Sequence, residues 1–321
     1  MFSIWNDFSG MPEALQKVSG IIRSSLASKS PIIGDGLEGL FNGGGKLLRP
    51  GLLLAAARFG ELQEKHYKLA AAVEMLHMAT LIHDDVIDDS PLRRGLPSLH
   101  SRYGKKDAVL MGDFLLSRLF LLTAEYTSPA NARSLARAIS VLCMMEIEQN
   151  GDRFKSNISM RSYLRKIVGK SATLFSLACF TGAREANLSP ELCQRFRRIG
   201  YNIGLSFQII DDILDYSGNE EQTRKPLGSD IAAGLVTLPV LCALRSDTSG
   251  VLRDIFSRAA FTAKEAGVIF AQVQNGKGLE AAGRYASSYT DRALRDIAAL
   301  PPGENRDMLE ALTRRLLTRQ E

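Results

Sequence analysis

Apolar residues recur at three- and four-residue spacing along almost the whole 321-residue chain, and clean two-residue alternation is rare. Such periodicity is that of amphipathic or buried α-helices, since a half-buried strand needs a period of two. The chain therefore reads as all-α, with no segment that requires a strand. Candidate helices run over residues 11–28, 46–59, 64–90, 107–127, 130–151, 160–183, 189–217, 235–246, 262–273, 277–298 and 304–319. Ordinary turn chemistry separates them: "KSPIIGDG" at 29–36, "FNGGGK" at 41–46, "SPLRRGLP" at 90–97, "YTSPAN" at 126–131, "ANLSPE" at 186–191, "SGNEEQTRKPLG" at 217–228 and "LPPGEN" at 300–305. None of these breaks is long enough to be a domain linker, so a single domain spanning 1–321 is expected.

Composition excludes some functions. Hydrophobic residues at 45% can fill a sizeable core. Forty Lys+Arg against 35 Asp+Glu leave a formal +5, too mild for the basic stripe of a nucleic-acid binder. The four cysteines, Cys143, Cys179, Cys193 and Cys242, show no CxxC and no Cys/His cluster of zinc spacing, which fits free thiols in a reducing compartment. "MFSIWNDFSG" has no basic n-region leading into an apolar h-region, and no apolar run reaches membrane-spanning length. A cytoplasmic protein with no integral membrane segment is expected, with peripheral membrane contact left open for an apolar product.

The chemistry concentrates in two aspartate clusters about 127 residues apart, "DDVIDD" at 84–89 and "DDILD" at 211–215. Asp84 and Asp88 lie four residues apart, so on a helix their carboxylates stack on one face, and Asp85 and Asp89 form a second pair about 100° round. Like charges at that spacing destabilise a helix, and they stand near its C-terminal end, where the macrodipole is already negative. Asp211 and Asp215 repeat the stack, with Asp212 beside them. Either cluster alone could be a solvated helix face. Their flanks, "MLHMATLIH" and "GLSFQII", are apolar on nearly every side, however, and carboxylates on buried helices need partners. An all-oxygen donor set suits Mg²⁺, which takes one or two carboxylates and completes its shell with water and substrate phosphates. Arg93 and Arg94 follow closely enough to meet phosphate oxygens, so the acids and the arginines need not be paired with each other.

With these clusters in place the chain resembles the trans-isoprenyl diphosphate synthases, in their polyprenyl diphosphate synthase branch. The resemblance runs from about residue 40 to 245 and rests on motifs in order: "GGGKLLRP", "HMATLIHDDVIDD", "PLRRG", "AVLMGDFLLS", "GKSATLF", "FQIIDDILDY", "KPLGSD" and "VTLP". It implies a single-domain orthogonal helical bundle around a central cavity, the isoprenoid synthase fold. Such enzymes are usually homodimeric, and some need a small helper subunit. Their substrates are isopentenyl diphosphate and an allylic diphosphate, condensed with Mg²⁺ by ionisation, addition and proton loss.

The resemblance assigns residues. Asp84, Asp85 and Asp88 match the first metal motif and Asp211, Asp212 and Asp215 the second; all of them except Asp215 form, with Lys170, the candidate catalytic set. Asp89 falls outside the minimal pattern and reads as a further ligand or a solvated neighbour. Lys46, Arg49, His77 and Arg94 match ligands of isopentenyl diphosphate. Arg93, Lys170, Ser171, Gln208 and Lys225 match the allylic diphosphate site, and His83 reads as structural. One departure stands before "TLP", where Leu235 occupies the place of a frequent lysine; Arg224 could supply the missing charge.

Product length is read from the helix before Asp84. Ala79 lies five residues back, a depth of about 7.5 Å, more than one isoprene unit. In short-chain relatives an aromatic blocks that level, so Ala79 and Thr80 predict a longer product, about C30 to C40, the next floors being Leu76, Met75 and Ala72 or Phe114, Ser117 and Phe120. The alternatives are a farnesyl or geranylgeranyl diphosphate synthase, a subunit of a two-component synthase, or a class I terpene cyclase. Against the last stands the second DDxxD, where cyclases mix Asn, Ser/Thr and Glu.

Overall fold

The computed structural model describes residues 3–93, 95–217 and 227–317. Its described elements are helical except for one two-stranded ladder. The chain divides into two compact units: Met1–Ala136 with Ser176–Arg197 and Pro302–Met308, and Arg137–Phe175 with Arg198–Pro301 and Leu309–Glu321.

In the first unit α1 (Met11–Leu26), α2 (Pro31–Asn42), α3 (Leu48–Ala57) and α4 (Glu64–Ile87) lead to β1 (Leu92–Arg93) and β2 (Leu96–Pro97), then α5 (Leu99–Tyr103) and α6 (Lys105–Tyr126). The helix α4 is the axis, with α1, α3 and α6 packed on it. From Leu69 through Leu76 and on to Met78, Ala79 and Ile82, nearly every α4 side chain is buried, which is why its apolar pattern goes all round instead of forming a stripe. Its start is capped by His66, whose Nδ1 accepts from the Gln63 N–H at 2.8 Å. At the other end Asp88 N–H still bonds the Asp84 carbonyl at 2.8 Å, and Asp89, at φ +51°, turns the chain out of the helix. The approach of α6 depends on Gly112: a Cβ there would lie 2.2 Å from His83 Nε2.

Two features depart from the sequence reading of this unit. Residues 31–42 form α2 instead of a turn. Pro31 sits at the start of that helix, where its missing N–H costs nothing, and burial of Leu37 and Phe41 outweighs the three internal glycines. The break at 90–97 holds an antiparallel ladder pairing Leu92 with Pro97 and Arg93 with Leu96, turned at Gly95 with φ +79°.

The second unit holds most of α7 (Pro129–Gly151), α8 (Met160–Ile167), the start of α9 (Thr173–Glu185), most of α10 (Pro190–Ser217), α11 (Ser229–Ala232), α12 (Leu238–Arg245), α13 (Val251–Phe256), α14 (Ala263–Asn275), α15 (Gly278–Ala298) and the end of α16 (Glu304–Leu317). Its core gathers Tyr163, Ile209, Tyr216, Leu238, Ile269 and Val273. The helix expected over 160–183 is interrupted at Val168–Ala172, where the backbone takes a π-turn and the Thr173 hydroxyl donates to the Val168 carbonyl at 2.8 Å. Insertions of this kind often mark functional positions, and this one carries Lys170 and Ser171. The short α13 is also absent from the sequence reading, its six residues being too few to show a period.

Candidate active site

In the first unit one cleft of about 370 Å³, including its open mouth, brings together Gly44, Gly45, Leu47, Glu74, His77 and Arg93. All but Glu74, which the sequence reading did not single out, come from three separate motifs. Positive φ at Gly44 (+96°) and Leu47 (+44°) bends the glycine segment into the start of α3, so that Lys46 lies exposed on the turn and Arg49 half-buried in the first helical turn. His77, Asp84 and Asp88 are half-buried along α4 and its C-cap.

The second carboxylate pair expected at Asp85 and Asp89 does not form, because the helix ends between them. Asp85 is 3% exposed and is gripped by Arg93, whose Nε donates to Oδ2 at 3.0 Å while Nη2 reaches Oδ1. This fork-on-carboxylate geometry holds the β1 strand against α4. Arg93 thus faces an acid of its own motif as well as the cleft, where the sequence reading left acids and arginines unpaired. Asp89 points to solvent and meets Lys105 Nζ at 2.9 Å, which holds its carboxyl below the usual range. His83 is placed structurally, its Nε2 3.2 Å from the Val109 carbonyl oxygen.

In the second unit a chain of hydrogen bonds runs from the π-turn to the second cluster. The Ser171 hydroxyl donates to Gln208 Oε1, and Gln208 Nε2 donates to Asp212 Oδ1 at 2.9 Å. The Tyr163 hydroxyl donates to Asp212 Oδ2 at 2.6 Å. Asp212 is 3% exposed, and burial, reinforced by the charges of Asp230 and Asp211, pushes its carboxyl up to about 8. Negative charge collected in this way fits a cation-binding site. Asp215 is held differently: its Oδ1 accepts from Ser229 N–H (3.1 Å) and hydroxyl (2.8 Å), and its Oδ2 from Asp230 N–H (3.1 Å). It anchors the start of α11, a task a bare helical stack would not suggest. Asp211 is half-buried and Lys170 exposed.

Tyr163 was missed in the sequence because no acidic pattern surrounds it; its spacing, two turns before Lys170 in "YLRKIVGK", was the available signal. Leu235 is half-buried, its N–H bonded to the Asp230 carbonyl at 2.9 Å. Arg94, Arg224 and Lys225 lie outside the described residues. Among the described residues no three His, Cys, Asp or Glu side chains converge as a ready-made metal cage. That suits a hard cation whose shell is completed by phosphate oxygens and water.

Of the α6 floors proposed from sequence, Phe114 is half-buried and Ser117 and Phe120 are exposed, whereas Ala108, Met111, Gly112, Leu115, Leu119 and Thr123 are the buried positions of that helix. Ala79, Leu76 and Met75 are buried at 1%, 1% and 0% exposure, and Thr80 is half-buried, its hydroxyl donating to the His77 carbonyl at 2.8 Å. Further from Asp84 an apolar pocket of about 310 Å³ is lined by Leu69, Ala72, Val73, Leu119, Asn131 and Thr181, among others. Along α4 it lies about 18 to 22 Å from Asp84.

Residues 30–273 match the Polyprenyl synthetase family. Heptaprenyl diphosphate synthase component 2 of Geobacillus stearothermophilus is 37% identical over 306 residues, covering 95% of each chain. The crystal structure of heptaprenyl diphosphate synthase from Staphylococcus aureus has a TM-score of 0.92 at 30% identity, covering 97% of this chain and 99% of that one. A polyprenyl synthase from Caulobacter crescentus CB15, complexed with calcium and isoprenyl diphosphate, has a TM-score of 0.89 at 36% identity, covering 97% of this chain and 96% of that one. The all-helical isoprenoid synthase fold expected from sequence is the one these structures share, and the chain belongs to the polyprenyl synthetase family of prenyltransferases.

Proposed function

We propose that this chain condenses isopentenyl diphosphate head-to-tail with an allylic diphosphate, in one domain, to make an all-trans polyprenyl diphosphate of about C30 to C40, the range set by the depth of the α4 wall. The observation that carries this reading is the cleft where Gly44, Gly45 and Leu47, the turn on which Lys46 and Arg49 follow in sequence, meet His77 and Arg93 beside the helix that ends in Asp84 and Asp88. Lys46, Arg49, His77 and Arg94 bind the diphosphate of isopentenyl diphosphate. Arg93, Lys170, Gln208 and Lys225 hold the allylic diphosphate, with the Ser171 hydroxyl orienting Gln208.

Mg²⁺ suits the all-oxygen carboxylate cluster of each unit, Asp84, Asp85 and Asp88 in the first and Asp211, Asp212 and Asp215 in the second, and would neutralise charge building on a leaving diphosphate. The cationic side chains act on the same charge, and such stabilisation is worth most in a dry site. The apolar wall of α4 keeps water from the allylic cation while the double bond of isopentenyl diphosphate adds to it; loss of a proton then completes a chain five carbons longer. Tyr163 and Gln208 hold Asp212 as a fixed acceptor beside Asp211.

For assembly, Val109, Leu110, Phe120 and Leu121 leave an exposed apolar stripe on α6, the kind of surface that a second copy covers. The Geobacillus relative is named as component 2 of its synthase, which favours a second reading, in which a helper subunit is needed for full activity. One experiment tests both: the purified chain with Mg²⁺, isopentenyl diphosphate and allylic primers of different lengths, products sized by chromatography. Elongation by the chain alone to about C30 to C40 supports the first reading. A failure to elongate that a helper protein repairs supports the second, and an endpoint at about C20 removes the long-chain assignment.

A further inference from the structure

The N-terminal segment, which plays no part in the motifs, reaches the glycine turn. Trp5 is fully buried at 0% exposure, and its indole Nε1–H donates to the Lys46 carbonyl at 2.7 Å. The other face of the contact is Gly51, one turn into α3: a Cβ there would lie 2.0 Å from Trp5 Cζ2, so the helix meets the ring with bare backbone. Between these two points of contact lie Leu47, held at φ +44° and ψ 43°, and Arg49. The left-handed conformation is strained for a side-chain-bearing residue and persists only where its surroundings impose it. Phe8 packs edge-on against the indole at 6.3 Å between centroids, which fixes the ring from behind.

We infer that Trp5 is a positioning residue for isopentenyl diphosphate: its N–H and ring set the backbone of the turn from which Lys46 and Arg49 reach the diphosphate. This rests on the assignment of Lys46 and Arg49 made above. The ring touches no substrate and acts through the Lys46 carbonyl and the first turn of α3.

Trp5 is the single tryptophan of the chain, so intrinsic emission reports on this turn directly. Titrating the purified full chain with isopentenyl diphosphate shifts that emission, and the shift disappears in Lys46→Ala; an emission unchanged at saturation overturns the inference. Trp5→Phe keeps an aromatic ring and removes the N–H. It raises KM for isopentenyl diphosphate about five- to tenfold, the size of one lost hydrogen bond, and leaves the allylic KM within about twofold. Gly51→Ala keeps the indole but pushes the ring away, and gives the same selective rise. A merely structural role would lower thermal stability and both substrates' apparent affinities together, and that result overturns the inference. If Lys46→Ala and Arg49→Ala raise KM for isopentenyl diphosphate while Trp5→Phe and Gly51→Ala do not, the site stands and the positioning role falls. If the Lys46 and Arg49 variants leave that KM unchanged, the site assignment itself fails.

Discussion

Asp212 shows how one side chain is held for function against stability. With its carboxyl raised to about 8 by burial and by Asp230 and Asp211, the folded chain keeps a proton that the unfolded chain releases near an ordinary carboxylate value. Stability therefore falls as pH rises through that window, and the cost is complete above it. Asp212→Asn removes the titration: without divalent cation its Tm should exceed that of the parent by on the order of 3 °C at pH 8, with the difference vanishing near pH 4, by calorimetry across pH. Its kcat with Mg²⁺ should drop by about 10² or more, since a neutral amide replaces a carboxyl that a bound cation would ionise. Asp212 was singled out as a candidate by the DDxxD spacing. Its Tyr163 partner was not, because a contact between residues 49 apart leaves no local period.

Elements carry the next effects. On α4 the level of Ala79 is buried at 1% exposure and narrow, so Ala79→Tyr should shorten the product to about C15, and an unaltered product distribution would refute this account of the wall. The helix ends α4, α7 and α9 are tied by Glu185, which accepts from the Thr127 hydroxyl, the Asn131 amide and Lys65 Nζ at 3.3 Å. Burial would push that carboxyl up, but these donors outweigh it and hold it below its usual value. Glu185→Ala should cost about 2 to 3 kcal/mol, read from urea unfolding, since it strands buried Asn131 without its acceptor. Helical period told where α4 and α10 run. It did not expose the π-turn at Val168–Ala172, within which Gly169 lies so close to α7 that a Cβ would meet Met145 Cγ at 2.0 Å, a tertiary contact with no local period.

At the scale of the whole molecule, assembly and surroundings follow from the surface. Among the described residues no helix is long and apolar enough to cross a membrane. The exposed stripe of α6 should pair two copies, so that Leu110→Glu with Phe120→Glu gives a monomer by light scattering where the parent chain gives a dimer. If the double variant and the parent have equal mass, that face is not the interface.

The sequence by itself determined the fold class and both aspartate clusters, because helical period and i, i+4 spacing are local properties that survive without knowledge of neighbours. Its ordered motifs also singled out Lys46, Arg49, His77 and Arg93, the residues for which phosphate binding is proposed. Only the tertiary structure decided that Arg93 closes on Asp85, that Asp215 anchors α11, and that Trp5 braces the turn bearing Lys46. Each of these is a contact between residues remote in the chain or a side chain whose direction depends on where a helix stops. A helix end can be shifted by one residue through a single turn such as Asp89 at φ +51°, and a one-residue shift rotates every later side chain by about 100°.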